Sequence, residues 1–333
     1  MIRTAVIGYG YWGPRVARNF SSSGRTQLCA ICDQRPEALQ RASLDFPDVA
    51  TFTDPREVLT SSTIDSVAIV TPVWTHFEFA KMALENGKHT WVEKPFTASA
   101  AQATELIELA EQKHLTIMVD HTFLFTGAVK KIRELIDDQT LGNLYYYDST
   151  RVNLGLFQHD VNVVWDLAPH DLSIMDFLIR EEPEAVVATG QSHLNCLEDM
   201  AYITIFYKNN LIAHVSVNWL SPVKVRTTLL GGEHKMLVWN DLEPDEKIRV
   251  YDKGVEITGK TGLYDLLVSY RSGDMWAPRV DQAEALQTEV RYFADCISKG
   301  VTPINDGIAG YRVVRLLEAA TDSLKNRGRI VQL

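Results

Sequence analysis

The first 33 residues of the chain contain a short pattern that strongly restricts the fold. A mainly apolar run, Ile2–Ile7, predicts a buried strand, and it leads directly into Gly-Tyr-Gly-Tyr-Trp-Gly, which begins at Gly8. A helical pattern follows, and a second apolar run at residues 28–32 ends at Asp33. This order of strand, glycine turn, helix, strand and acidic residue is typical of a dinucleotide-binding βαβ unit.

Each part of the pattern has a physical role in such a unit. Gly8 permits the tight turn, Gly10 lets the backbone approach a pyrophosphate, and Gly13 lets the helix pack closely on the strand. The free N–H groups at the start of the helix then face the phosphates. The residues between the glycines belong to the same predicted contact surface: Tyr9, Tyr11 and Trp12.

The acidic residue of the pattern bears on the choice of cofactor. Asp33 lies 20 positions after Gly13, where its carboxylate can accept hydrogen bonds from the adenosine ribose hydroxyls. A carboxylate there repels a 2′-phosphate, which favours NAD over NADP. The guanidinium of Arg35 could accept that phosphate instead, so NADP is not excluded.

Strands and helices continue to alternate up to residue 121. Further strands are predicted at residues 63–71, 89–95 and 115–120, and helices at residues 36–45, after Trp74 up to Glu85, and 98–113. This alternation indicates an α/β Rossmann domain with a parallel sheet over residues 1–121. Cofactors bind at the carboxyl ends of such strands. The residues predicted to lie at those ends near the cofactor are Thr71, Pro72, Trp74, His76, Glu93, Lys94 and His121.

The pattern changes after residue 122. The expected elements are a helix at residues 127–137, a tyrosine-rich strand at 142–152, a loop at 153–161 and a helix that begins near Pro169. Strand-like runs then succeed one another between residues 184 and 251, which indicates a mainly antiparallel sheet. The chain closes with a long loop at residues 259–279 that carries Tyr264, Tyr270 and Trp276, and with helices at 282–298 and 307–325.

Residues 122–333 are therefore predicted to form a second, α+β domain with a large open, mainly antiparallel sheet, which binds substrate and mediates oligomerisation. Its C-terminal helices could pack back on the first domain. An exposed apolar sheet face is normally buried by another subunit, so we expect a homodimer or homotetramer.

Composition excludes some classes of partner. The net charge of −10 lacks the basic footprint that nucleic acids and anionic membranes require. We find no apolar segment of membrane-spanning length and no signal peptide before the first strand, so a cytoplasmic protein is expected. Cys29 and Cys32 lie within a predicted strand, and no second cysteine pair completes a zinc site, so we expect no metal.

Lys94 is the first catalytic candidate. A lysine at the carboxyl end of a strand, beside a nicotinamide, can hydrogen-bond the substrate oxygen and stabilise the alkoxide that forms as hydride leaves. The alternative is a solvated surface lysine, against which Pro95 argues weakly because it restricts how the chain leaves the strand.

His170 and Asp166 are the second candidates. Imidazole titrates near neutral pH, which makes His170 a natural proton acceptor in alcohol oxidation, although Lys94 is not excluded from that role. Asp166, four positions earlier, would share a helix face with His170 if the helix ran through both. Because Pro169 disfavours this, we expect the helix to start near residue 168, with Asp166 as a cap and Asp171 as an alternative structural acid.

Three motifs together carry a family resemblance. GYGYWG near the N-terminus, EKP on the fourth predicted strand and D-x-x-x-H after an Asn-containing loop resemble the Gfo/Idh/MocA oxidoreductases, the family of glucose–fructose oxidoreductase and inositol dehydrogenase. The likeness extends over essentially the whole chain. It implies that Lys94, Asp166 and His170 form the catalytic group, and that a Rossmann domain is followed by an open-sheet domain that dimerises.

A narrower branch is also similar. The segments GYGYWGPRVARNF, RVNLGLFQHDVNVVWDLAPHD and VNWLSPVKVR resemble enzymes of nucleotide-linked sugars, such as UDP-N-acetylglucosaminuronate 3-dehydrogenase and related sugar 3-ketoreductases. A role in surface-polysaccharide or amino-sugar biosynthesis is implied. A nucleotide sugar needs cations for its diphosphate and aromatic or amide groups for its base and sugar. Besides Lys94 and His170, the predicted substrate contacts are Arg151, Asn153, Trp219, Lys224 and Arg226, which could equally be ordinary strand and loop residues.

Three functional hypotheses remain after this reasoning. The first is an NAD-dependent oxidoreductase acting on the 3-position of a nucleotide sugar, in either direction. The second keeps the chemistry but has a free polyol or aldose, such as inositol, as its substrate. The third is a dinucleotide-sensing regulator without catalysis, against which the presence of the lysine, the acid and the histidine together argues.

Overall fold

The structure is a computed structural model that describes residues 1–155, 160–260 and 266–333. The described chain divides into two compact units. The first comprises Met1–Phe125 with Ala283–Glu318, and the second comprises Thr126–Gln282 with Ala319–Leu333. The first unit thus takes in a late part of the chain that falls in the second domain of the sequence-based division.

The first unit contains a six-stranded parallel sheet. Its strands are β1 (Ile2–Ile7), β2 (Thr26–Cys32), β3 (Ala50–Phe52), β4 (Ser66–Ile69), β5 (His89–Val92) and β6 (Ile117–Val119). Their order in the sheet is β3-β2-β1-β4-β5-β6, as in doubly wound dinucleotide-binding folds. In such a sheet a ligand binds at the carboxyl ends of the strands, where the winding reverses between β1 and β4.

Helices connect these strands, and the sequence predicted all of these strands and helices except β3 and the short helix that follows it. The helices are α1 (Gly13–Ser22), α2 (Pro36–Asp45), α3 (Pro55–Leu59), α4 (Val73–Glu85) and α5 (Ala100–Lys113). Two further helices follow late in the chain, α8 (Ala285–Lys299) and α9 (Gly307–Lys325). In the core, Phe20 of α1 meets Trp91 and Phe293 edge to face, with ring centroids 6.1 and 6.3 Å apart. The late helix α8 therefore shares the core of the early strands.

The second unit contains a nine-stranded sheet. Its strands are β7 (Leu144–Leu154), β8 (Pro183–Gln191), β9 (Met200–Tyr207), β10 (Ile212–Asn218), β11 (Leu220–Gly232), β12 (Met236–Asn240), β13 (Ile248–Lys260), β14 (Leu266–Trp276) and β15 (Val331–Gln332). Their order is β14-β13-β12-β11-β7-β10-β9-β8-β15, and every neighbouring pair is antiparallel except β7 with β10. The sheet is therefore mixed and mainly antiparallel.

Helices α6 (Gly127–Asp137) and α7 (Val163–Leu178) accompany this sheet, together with the end of α9 from residue 319 onward. Along β10 the buried Ala213, Val215 and Val217 alternate with the more exposed His214 and Ser216, and α7 packs against β7, β9 and β10. One face of these strands is thus buried under α7, because successive side chains of a strand point to opposite faces of the sheet. That the other face joins copies of the chain in a homodimer or homotetramer stays a prediction.

The predicted loop at residues 259–279 is wrong for residues 259–260 and 266–276, which are strands. β13 and β14 pair antiparallel at one edge of the sheet, so Tyr270 and Trp276 lie in a strand, while Tyr264 lies outside the described residues. The sequence did not indicate a strand there because polar residues and a glycine interrupt the apolar pattern. The strand forms because pairing with β13 satisfies its backbone N–H and C=O groups. In the part of the chain that the structure describes, no helix is long and apolar enough to span a membrane.

Candidate functional site

The glycine turn after β1 shows why each glycine is present. Gly8 has a φ of +99°, and a Cβ there would lie 2.3 Å from the carbonyl oxygen of Val70. A Cβ at Gly13 would lie 2.3 Å from the carbonyl oxygen of Gly8. A Cβ at Gly10 would meet only a guanidinium nitrogen of Arg35, at 3.6 Å. The fold itself therefore requires Gly8 and Gly13, while Gly10 leaves open the space that a pyrophosphate needs.

Asp33 is held firmly at the end of β2. Its carboxylate accepts the backbone N–H of Tyr9 at 2.7 Å, and Arg35 donates from Nε at 3.0 Å and from Nη2 at 2.9 Å. Burial raises the pKa of Asp33, but the hydrogen bonds from Arg35 and Tyr9 outweigh it and lower that pKa overall. Asp33 is thus an ionised acceptor beside the glycine turn, and Arg35 is engaged in neutralising it.

The three aromatic side chains of the turn have different surroundings. The Tyr9 side chain is buried in the core, and its hydroxyl donates to Asp45 at 2.6 Å. Tyr11 is exposed, and the Trp12 indole Nε1 donates to Asp120 at 3.2 Å. The prediction that Tyr9 contacts the cofactor is therefore corrected: its side chain fills the core instead.

The imidazole of His76 joins two strand ends rather than facing a cleft. Its Nε2 lies 2.8 Å from the carbonyl oxygen of Thr71 and its Nδ1 lies 2.8 Å from that of Pro95. Burial lowers the pKa of His76. A neutral imidazole has a single N–H, so it donates to only one of these two carbonyl oxygens. The side chain is 1% exposed, so the predicted cofactor contact of the His76 ring is corrected. The ring instead ties the segment after β4 to the segment that carries Lys94.

The other residues predicted around β4 and β5 lie at the expected strand ends. Pro72 precedes the first turn of α4, and Trp74 within that turn is 66% exposed. Lys94 is half-buried just beyond β5, and its peptide bond to Pro95 is cis.

Glu93, Asp120 and Glu289 form a carboxyl cluster in which Asp120 and Glu289 are buried and Glu93 is half-buried. Burial raises the pKa of Glu93 and of Glu289 well above the usual value, and repulsion from Asp120 adds to both shifts. Asn305 Nδ2 donates to Glu289 at 2.9 Å, and Thr122 donates to Asp120. Glu93, which we predicted to contact the cofactor, thus belongs to this cluster.

The sequence did not reveal this cluster. Glu289 lies on α8, far along the chain from Asp120, so only tertiary packing brings the two acids together. The one local signal is Asp120 itself, which follows a short buried strand. Among the described residues, no group of three or more histidine, cysteine, aspartate or glutamate side chains could hold a metal ion.

His121 provides a separate indication of a ligand. Its side chain is 1% exposed, and neither ring nitrogen has a hydrogen-bonding partner within the described residues. Burial lowers the pKa of His121 to about 4, with a smaller contribution from Lys94, so the ring is neutral. Buried polar groups are normally satisfied, so a polar group of a bound cofactor would fit here. The open space at Gly10 and the acceptor Asp33 fit NAD in the same way.

In the second unit, α7 begins earlier than predicted. Asn162 is its N-cap: Oδ1 accepts the backbone N–H of Trp165 at 3.1 Å, and Nδ2 donates to Glu198 at 2.8 Å. The prediction of a start near residue 168, with Asp166 as cap, is therefore wrong. Pro169 lies inside the helix, where its missing N–H removes one hydrogen bond, and the cap and the packing on the sheet compensate.

The longer helix has a direct consequence for the candidate residues. Asp166 and His170 are four positions apart within α7 and thus lie on one face of it. Both are half-buried, so each retains access to a ligand or to solvent.

Asp171, the alternative acid, has a structural role. It accepts Arg151 Nε at 2.5 Å and Ser149 Oγ at 2.6 Å, and the ion-paired side chains of Arg151 and Asp171 are 5% and 3% exposed. The pair fastens α7 to β7. The predicted substrate contact of Arg151 is corrected accordingly, because its guanidinium is buried against this helix.

Trp219 is also buried, with 1% of its surface exposed, and its indole Nε1 donates to Asp166 at 3.1 Å. The predicted stacking on substrate is therefore wrong. Of the other predicted contacts, Arg226 pairs with Asp241 at 3.4 Å, Asn153 is half-buried and Lys224 is exposed. Arg226 lies opposite Arg151 in the antiparallel pairing of β11 with β7.

We predict that Gly10→Ala and Gly13→Ala separate cofactor binding from folding. Gly10→Ala should abolish NADH binding with little change in melting temperature, because its Cβ meets open space in the protein. Gly13→Ala should lower the melting temperature, because its Cβ would overlap a backbone oxygen. Fluorescence titration with NADH and thermal unfolding check both, and unimpaired NADH binding in Gly10→Ala would contradict the assignment.

We predict that Glu289→Gln stabilises the protein increasingly as the pH rises. A carboxyl whose pKa is raised on folding contributes stability below its unfolded pKa of about 4.3 and loses it as the pH rises through the folded value. The gain in unfolding free energy should therefore be larger at pH 8 than at pH 5, by about 1.4 kcal/mol for each unit of pKa shift that lies in this range. Urea unfolding measures it, with the exposed Glu111→Gln as control, and a pH-independent difference would refute the raised pKa.

Comparison with known proteins agrees with this geometry. The chain matches the model of the oxidoreductase family with an NAD-binding Rossmann fold over residues 2–121, and that of the GFO/IDH/MocA C-terminal domain over residues 129–238.

Two of the similar proteins are dehydrogenases of a nucleotide sugar and of a polyol. UDP-N-acetylglucosamine 3-dehydrogenase of Acidithiobacillus ferrooxidans is 27% identical over 94% of each chain. The NAD(+)-dependent scyllo-inositol 2-dehydrogenase of Bacillus subtilis is 26% identical, over 100% of this chain and 96% of its own. A solved structure of the Acidithiobacillus enzyme superposes with a TM-score of 0.81 over 98% of both chains, at 24% identity. With its parallel sheet, its glycine turn and these two family matches, the chain belongs to the Gfo/Idh/MocA family of NAD-binding oxidoreductases.

Proposed function

We propose that this enzyme transfers hydride between NAD and the 3-position of a nucleotide sugar, in amino-sugar or surface-polysaccharide biosynthesis. The observation that carries the chemistry is the placement of Asp166 and His170 on one face of α7. An acid and an imidazole so placed suit the transfer of a hydroxyl proton. The similarity to UDP-N-acetylglucosamine 3-dehydrogenase over 94% of both chains supports the choice of substrate.

The residues divide the reaction between them. NAD, when bound, would supply the acceptor for the hydride of the carbon that bears the hydroxyl. The ammonium group of Lys94 stabilises the negative charge that develops on the substrate oxygen. His170 takes up the hydroxyl proton, and Asp166 orients the imidazole and stabilises its charged form. In the reverse direction His170 returns the proton to the oxygen of the ketone.

A free polyol is the second candidate substrate, and two observations favour it. The similarity to scyllo-inositol 2-dehydrogenase spans the whole chain at nearly the same identity. Arg151 and Trp219, two of the side chains that we expected to bind the nucleotide, are buried and engaged with Asp171 and Asp166. A smaller substrate needs fewer contacts of this kind.

An absorbance assay for NADH distinguishes the two candidates. The enzyme is mixed with NAD at mildly alkaline pH and with UDP- and dTDP-sugars, scyllo-inositol, myo-inositol or glucose. We expect turnover with a UDP-sugar and much less with the free sugars. Turnover with inositol alone would replace the nucleotide sugar by the polyol. If neither class is oxidised or, from NADH and the keto compounds, reduced, the proposed function is wrong.

We predict that Lys94→Ala and His170→Ala each lower kcat by roughly 10²- to 10⁴-fold, the usual contribution of a group that moves a proton or stabilises charge. The Kd for NADH should change little. Lys81→Ala, which removes an exposed ion pair with Glu105, and His114→Asn, at the end of α5, are the controls and should retain activity. A fully active Lys94→Ala enzyme would disprove the mechanism.

A further inference from the structure

Trp219 connects the sheet of the second unit to the helix that carries Asp166. It lies directly after β10 and directly before β11, and its side chain is 1% exposed. Its indole Nε1 donates to Asp166 Oδ2 at 3.1 Å. An indole is a donor only, so its preferred partner when buried is an acceptor such as a carboxylate.

The backbone of Trp219 is anchored on both sides. Its N–H donates to the carbonyl oxygen of Asp199 at 2.9 Å, and its own carbonyl oxygen accepts the N–H of Gly155 at 3.0 Å. The Asp199 side chain is buried in turn, and it accepts the backbone N–H and the ring Nδ1 of His193, each at 2.7 Å. The backbone position from which the indole projects is therefore fixed by hydrogen bonds to two neighbouring segments.

The ring plane is restricted as well. A Cβ at Gly155 would lie 2.6 Å from Cδ1 of the Trp219 indole and 3.3 Å from Cγ. The ring thus packs directly on the main chain of Gly155, and only glycine permits this approach. Because the ring cannot rotate freely, the direction of its N–H is fixed, and the Asp166 carboxylate is held by a rigid donor.

A fixed donor restricts the conformation of the Asp166 side chain. Its side chain is half-buried on the face of α7 that also carries His170, and a free carboxylate there could adopt several rotamers. A hydrogen bond to a charged group is among the stronger ones in proteins. The indole N–H supplies one such bond, to Oδ2.

We propose that Trp219 is a positioning residue: its indole N–H orients the Asp166 carboxylate and, through it, the imidazole of His170. This rests on the proposed function of Asp166 and His170. It replaces the stacking on substrate that the sequence suggested with a role in proton transfer, for a side chain that touches no substrate.

Trp219→Phe tests the proposal, since it keeps an aromatic ring on Gly155 and removes the N–H. The matched control is Trp165→Phe. Trp165 immediately precedes Asp166 on α7, and its indole donates to Thr321 Oγ1 at 2.9 Å instead. Both variants are assayed with NAD and whichever of UDP-N-acetylglucosamine and scyllo-inositol the unmodified enzyme oxidises, and melting temperatures are recorded.

We expect Trp219→Phe to lower kcat roughly 10- to 100-fold, the effect of losing one hydrogen bond to a charged group. The acid limb of its pH–rate profile should shift in the same direction as that of Asp166→Asn, and the KM for NAD should not change. Trp165→Phe should keep the kcat and pH profile of the unmodified enzyme. A Trp219→Phe enzyme that behaves like Trp165→Phe would overturn the proposal.

A double-mutant cycle separates positioning from a merely structural role. In the Asp166→Asn background, Trp219→Phe should lower kcat by less than about twofold, because the carboxylate it orients is gone. Losses that multiply fully in the double variant would show that Trp219 acts independently of Asp166 and would overturn the inference. If Asp166→Asn itself leaves kcat unchanged, the proposed role of Asp166 fails, and the inference fails with it.

Discussion

The buried ion pair between Asp171 and Arg151 determines where the candidate catalytic face of α7 lies. Both side chains are nearly inaccessible, and Ser149 and Arg151 present their donors from one face of β7 to the same carboxylate. Removing one partner of such a pair typically costs about 3–5 kcal/mol, because the remaining charge is left buried. The pair is therefore a strong geometric constraint on rotation of α7, and that rotation decides which way Asp166 and His170 point.

The first unit also contains a cluster of polar side chains that are removed from solvent. Glu93, Asp120 and Glu289 lie together in its interior, and Asp120 also accepts the Trp12 indole from the glycine turn. A structure optimised only for stability would avoid two carboxyls with raised pKa values and a buried imidazole, His121, whose nitrogens are unpaired within the described residues. Such features cluster where a fold serves a ligand, and these lie at or near the carboxyl ends of the strands.

The errors in the sequence-based reasoning have identifiable physical causes. The start of α7 was misplaced because Pro169 was weighed as a helix breaker, whereas the cap at Asn162 and the packing on the sheet outweigh one lost hydrogen bond. β14 was missed because the strength of a strand at a sheet edge comes from its partner. Arg151 and Trp219 were assigned to substrate on residue type alone, although burial and hydrogen-bonding partners are properties of the packed structure.

The sequence by itself determined the parallel sheet, the glycine turn, the acid at the end of β2 and the position of Lys94 after β5. These features follow from local properties of segments of about 30 residues. The properties are the spacing of apolar residues, the conformational freedom of the backbone at Gly8 and the free N–H groups at the start of a helix. Only the tertiary structure decided that Asp166 and His170 share one helix, that Asp171 pairs with Arg151, and that Trp219 holds Asp166. The contacts of Asp171 with Arg151 and of Asp166 with Trp219 join α7 to the sheet, so their geometry follows from how the helix packs on the sheet.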